Sequence, residues 1–120
     1  MSLLFQEAKI GKITLKNRIV MPPMCMYSCE NDGKLTNFHK YHYTSRALGD
    51  VGLIIVEASA IESKGRISSH DVGFWDDEHI ALHKELVQEC HLYGAKMAIQ
   101  IAHAGRKSEV EDSTPISCSS

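Results

Sequence analysis

The octapeptide VGLIIVEA at residues 51–58 constrains this chain more than any other stretch. A nearly unbroken apolar run of this length suits a parallel strand covered on both faces rather than a surface strand with alternating polarity. Its flanks agree. Upstream, Thr36 is an N-cap for a helix running to Leu48, with Gly49 as its stop. Downstream, after a polar loop over residues 59–71, Asp76 caps a second helix whose first turn carries Asp77 and Glu78. Ile80, His83, Val87 and Cys90 recur at helical spacing, and Tyr93-Gly94 ends that helix. A further strand, KMAIQIA, covers residues 96–102. Before all of these, ITLKNRIVM at residues 13–21 alternates like a strand until Pro22-Pro23 stops it, and Glu30-Asn31-Asp32-Gly33 carries turn chemistry. The predicted order is hairpin, β, α, β, α, β within a single domain over residues 1–120. Such alternation defines a parallel α/β fold. Strands ending near residues 22, 58 and 101 fit a (β/α)₈ TIM barrel with long βα-loops, or equally a doubly wound sheet. About three strands of a barrel are present, so the chain is expected to be the N-terminal part of a longer one.

Composition narrows the function classes. A net charge of −2 gives no electrostatic footprint for nucleic acid or anionic membrane. No apolar run could span a bilayer, and the start MSLLFQE lacks a basic flank and signal core. A cytoplasmic location is expected, with Cys25, Cys29, Cys90 and Cys118 as reduced thiols. Cys25 and Cys29 form a lone C-x₃-C pair, which falls short of a structural zinc site, and no metal is expected. There is no G-x-G-x-x-G, P-loop or G-x-S-x-G. His79 and His83 stand one turn apart but lack the glutamate of H-E-x-x-H, so one solvated and one partly buried helix histidine are expected; His39 and His42 read as helix-surface residues.

In a parallel barrel the chemistry lies at the carboxyl ends of the strands. Here those ends are PPMCMY at residues 22–27, EAS at 57–59 and QIAHAGRK at 100–107. The segment KNRIVMPPMCMY (16–27) resembles the flavin-binding opening of the Old Yellow Enzyme family, in the bacterial branch that carries cysteine after P-M. GLIIVEA (52–58) is similar to that family's second strand, and IQIAHAGRK (99–107) to its third strand and following loop. The resemblance covers nearly the whole chain, from Leu4 to Glu109.

The resemblance implies an FMN-dependent oxidoreductase. NADPH, or NADH, would give a hydride to the flavin, and an α,β-unsaturated carbonyl compound would take it at its β carbon. The implied cofactor-binding residues are Pro22, Pro23, Met24, Cys25, Ala58 and Gln100. Cys25 tunes the ring's redox behaviour, and Tyr27 offers its phenol to the substrate; these two are the implied catalytic pair. Each has a plainer reading beside it. Cys25 could be a core thiol, Tyr27 a rim aromatic, the prolines strand terminators and Ala58 small-residue packing. Gln100 interrupts an apolar strand, where an unpaired amide costs about 1–3 kcal/mol. Its carboxamide offers a donor and an acceptor together, for a flavin edge or a neighbouring strand. His103 and Arg106 line the rim or scaffold their loop. The resemblance further implies a homo-oligomer when full length, and catalytic groups on later strands, so these 120 residues alone are expected to be inactive. Two other readings are a related flavin and iron–sulfur barrel of the dienoyl-CoA reductase type, and a non-catalytic partial barrel that associates through its open edge.

Overall fold

In the computed structural model, which describes residues 2–111 and 114–118, the elements follow the predicted order. A hairpin of β1 (Ala8–Ile10) and β2 (Ile13–Leu15) is followed by β3 (Val20–Met21) and α1 (Asn37–Leu48). Then come β4 (Leu53–Ala60), β5 (Val72–Gly73), α2 (Asp77–Leu92) and β6 (Lys96–Ala102). The stretch at residues 13–21 is not one strand. Asn17, buried within it, accepts a bond from the Ile19 amide (3.1 Å) and donates to the Asp50 carbonyl (2.6 Å). A side chain that serves the backbone in this way competes with ladder pairing, and the run divides into β2 and β3.

β4 is the spine of the sheet. One edge pairs in parallel with β6 along its length, from Leu53 opposite Lys96 to Ala60 opposite Ala102. The other edge is shared: β3 pairs with Leu53 and Ile54, and β5 with Ser59 and Ala60. Both helices pack on one face of this sheet. Met21, Tyr43, Ala47, Ile54, Val56, Leu86, Cys90 and Ala95 form the buried cluster, with Met97 and Ile99 against it.

The helix starts share a device that the sequence reading missed. Each has a histidine three residues into the helix whose Nδ1 accepts the N-cap amide: Thr36 N–H to His39 (3.1 Å) and Asp76 N–H to His79 (3.3 Å). This is a capping box with imidazole in place of the usual Glu or Gln. It places His39 and His79 inside the protein, and His83 is buried beside them. The expected surface positions for His39 and for one of the His79/His83 pair are therefore corrected. α1 ends at Gly49, as expected, but Gly49 keeps φ −74° and the left-handed turn falls on Asp50 at φ 72°. The bond from Asn17 to its carbonyl fixes that less favourable residue.

The segment after the hairpin crosses the amino ends of the strands. Lys16 Nζ reaches Asp50 Oδ1 (2.5 Å) and the Tyr93 carbonyl (2.7 Å), joining the turns that precede β4 and β6. Gly52 allows the closest approach, because a Cβ there would lie 2.5 Å from Asn17 Oδ1 and 2.8 Å from its carbonyl oxygen. In the whole protein, Gly52→Ala is expected to destabilise by about 1–3 kcal/mol through overpacking, read as a lowered urea midpoint. An unchanged midpoint would show that this crossing is not tightly packed.

Candidate functional site at the carboxyl end of the sheet

The site begins with a register fault. Val56 pairs with Ile99, but the next pair is Ser59 with Ile101, so Glu57 and Ala58 together oppose Gln100. An extra residue of this kind re-aims the side chains around it. Before it, Ile54 and Val56 point to the helices. After it, Ala58 and Ala60 line the open face, while Glu57 is turned back among the buried groups. Without the bulge, strict alternation would put the carboxylate on the open face and the alanine beneath.

Glu57 holds the preceding loop. Its Oε2 accepts the Met26 amide (3.0 Å) and its Oε1 accepts the Tyr43 hydroxyl (3.0 Å), while its own amide donates to that hydroxyl (3.0 Å). His39 Nε2 lies 3.6 Å from Oε1. Burial raises the Glu57 pKa, and the bonds from Met26 and Tyr43 oppose that rise. Burial likewise lowers His39 to about 4, so this imidazole is neutral and gives the carboxylate no counter-charge.

Cys25 is half-buried next to Ala58. The Ala58 backbone and the Tyr27 side chain lie close enough to its sulfur to favour the thiolate. Its pKa is raised, first by burial and then by the Glu57 charge. Tyr27 is exposed and adopts φ 51°, an unusual backbone for an aromatic residue and one that costs energy where it occurs. No sequence pattern signals that strain. Pro22 and Met24 are exposed and Pro23 is half-buried. Gln100 is exposed on β6, so among the described residues it does not incur the cost of a buried unpaired amide that the sequence argument invoked. The fold thus brings Cys25, Tyr27, Ala58 and Gln100 to one end of the sheet, with Pro22, Pro23 and Met24 on the loop that leads there.

Beside them is a cleft of about 250 Å³, lined by Ala58, Ala60, Ile67, Ala102, His103 and Lys107 among others. His103 serves its wall. Its Nε2 bonds Glu62 Oε1 (2.6 Å), its Nδ1 accepts the Gly105 amide (2.9 Å), and its ring packs where a Gly65 Cβ would stand. Arg66, unremarked in the sequence, binds the carbonyls of Asn31, Ser63 and Ser69 and stacks on Trp75, 5.2 Å from the ring centroid. No group of three metal-ligating side chains occurs among the described residues, and none of their helices is long and apolar enough to cross a membrane.

Parallel strands with helices on one face and a polar rim at their carboxyl ends are the architecture of the opening portion of a (β/α)₈ barrel. A family model described as NADH:flavin oxidoreductase / NADH oxidase matches residues 3–120, and the chain belongs to that family. It is 58% identical over 111 residues to an NADPH dehydrogenase of Geobacillus sp. (strain WCH70), covering 92% of this chain and 33% of that protein. It is 59% identical over 109 residues to one of Bacillus subtilis (strain 168), covering 90% and 32%. The Old Yellow Enzyme structure from Pichia sp. AKU4542 superposes with a TM-score of 0.84 at 30% identity, covering 89% of this chain and 28% of that one. Morphinone reductase in complex with tetrahydroNAD gives 0.81 at 31%, covering 90% and 29%. The chain spans about a third of the length of the curated relatives it matches.

The lowered His39 pKa has a consequence for stability. As pH falls from 6.5 to 4, the unfolded chain takes up a proton at His39 that the folded chain refuses, so stability is lost on acidification. His83 acts in the same direction, and Glu57, raised above 4.5, acts in the opposite one. In the whole protein, His39→Gln keeps a capping acceptor and is expected to remove up to about 3 kcal/mol of this pH dependence. Urea midpoints measured at pH 6.5 and 4.5 check it, and parallel wild-type and variant curves would refute it.

Proposed function

We propose that the protein containing this chain is an FMN-dependent oxidoreductase that takes a hydride from NADPH, or NADH, and delivers it to the C=C bond of α,β-unsaturated carbonyl compounds. The observation that carries this reading is the convergence of a half-buried thiol, a small-residue surface and an exposed carboxamide at the strand ends. Those groups fit a flat heteroaromatic ring whose edge alternates donors and acceptors. Ala58 leaves room for its face, and the Gln100 amide offers a donor and an acceptor together to its polar edge. Cys25 presents a polarizable sulfur to tune it. Pro22 and Pro23 have no N–H to give, so they act through shape and carbonyl groups, while Met24 also has its amide to offer. When bound, FMN supplies the hydride chemistry. The chain's own groups hold and orient it, and Tyr27, exposed at the rim, offers its phenol to the substrate's polar end.

The NADPH dehydrogenase name of relatives at 58–59% identity supports this reading. We further place the protein in the cytoplasm as a homo-oligomer.

The purified whole protein is expected to show a flavin visible band that bleaches anaerobically with NADPH and recovers with an enone. A colourless protein, or a band indifferent to both reagents, would end the proposal. Gln100→Leu is expected to weaken FMN binding about 10- to 100-fold, from loss of its paired bonds, measured by the fluorescence of released flavin. Wild-type affinity in that variant would remove Gln100 from the site.

A further inference from the structure

The buried carboxylate of Glu57 has no role in the reading above, yet it touches the loop that carries most of the proposed site. Its Oε2 takes the Met26 amide, one residue beyond Cys25 and one before the strained Tyr27. Its Oε1 takes the Tyr43 hydroxyl, which is itself held by the Glu57 amide, so the carboxylate is fixed at both ends of its side chain. We propose that Glu57 is a positioning residue: it suspends the loop over residues 24–27 from the spine of the sheet and sets its carboxylate against the backbone one residue from Cys25.

The geometry favours this over plain packing. An isoleucine or leucine would fill the position at no electrostatic cost, whereas a buried carboxylate without a cation is expensive to keep. The ionisable groups that face it are Tyr43 and His39 from α1, Cys25 and Cys29 from the loop, and Asp71 from the segment before β5. None of these is a fixed positive charge. His39 spends its Nδ1 on the Thr36 amide and is neutral. The Glu57 carboxylate adds to burial in raising the Cys25 pKa, while Arg66 opposes the rise only at Cys29. Burial and the same carboxylate push Cys29, deeper in the loop, up to about 12. The raised pKa favours the S–H form of Cys25, which can donate, over a thiolate that would repel electron density. The consequence for a flavin rests on the function proposed above; the consequence for the thiol does not.

The test separates the two. In the whole protein stripped of flavin, alkylation of Cys25 by iodoacetamide is followed by peptide mass spectrometry as a function of pH. Glu57→Gln keeps the shape and removes the charge. It is expected to lower the midpoint of the Cys25 profile by about one pH unit, which is about tenfold faster labelling on the rising limb. A profile that superimposes on wild type overturns the assignment. In the loaded protein the same variant is expected to raise the flavin midpoint potential, because a negative charge near the ring disfavours its reduction. An unmoved potential together with a shifted thiol profile would sink the flavin contact and leave the thiol assignment standing. The wild type alone supplies a check that needs no variant. The Met26 amide lies outside every strand and helix, yet it is expected to exchange with deuterium slowly, like an amide within a sheet. Exchange at the rate of an open loop would overturn the suspension of that loop by Glu57.

Discussion

One extra residue in a central strand decides which side of the sheet carries charge. The bulge that sets Glu57 and Ala58 against Gln100 reverses the side-chain parity of β4 part-way along its length. Its amino half sends Ile54 and Val56 under the helices. Its carboxyl half sends Ala58 and Ala60 to the open face, where small side chains leave room. A regular strand could not do both, because a two-residue period allows one choice of face for the whole run. Everything at the rim follows from this reversal: the bare surface at Ala58, the backbone close to the Cys25 sulfur, and the inward carboxylate that holds the next loop.

The polar interior sustains that arrangement through hydrogen bonds. The layer beneath the rim contains a tyrosine, a thiol and two histidines used as hydrogen-bond acceptors at helix starts. Imidazole can cap a helix and also reach a second partner with its other nitrogen. His79 does so by bonding the Asp32 carbonyl (2.9 Å), and His39 by facing Glu57. A glutamate in the capping position of α1 would set a second carboxylate against Glu57, which the local dielectric would resist. The histidine therefore belongs to the same electrostatic solution as the bulge.

Much of the architecture was legible in the sequence because it rests on local rules. The apolar octapeptide, the caps Thr36 and Asp76 and the stop near Tyr93 are short-range signals, and β6 falls on residues 96–102 as predicted. What escaped has non-local causes. The division of residues 13–21 depends on Asn17 meeting the Asp50 carbonyl, 33 positions away. The inward turn of Glu57, which faces the buried His39, depends on the bulge, and a bulge between two apolar strands leaves no mark in composition. Of the rim residues, Cys25, Tyr27, Ala58 and Gln100 were singled out by motif, and the structure brings them to one end of the sheet. Glu57, Tyr43 and Arg66 were missed because a charged or phenolic side chain reads as surface until its partners are known.

The crossing of Lys16 and Asn17 beneath the strands has a separate implication. It clamps the turns before β4 and β6 with a salt bridge, carbonyl contacts and a glycine that permits no side chain. These contacts fix the amino ends of the two longest strands to one crossing segment, away from the rim at their carboxyl ends. A sheet anchored at one end in this way can have the loops at its other end redrawn while its foundation stays untouched.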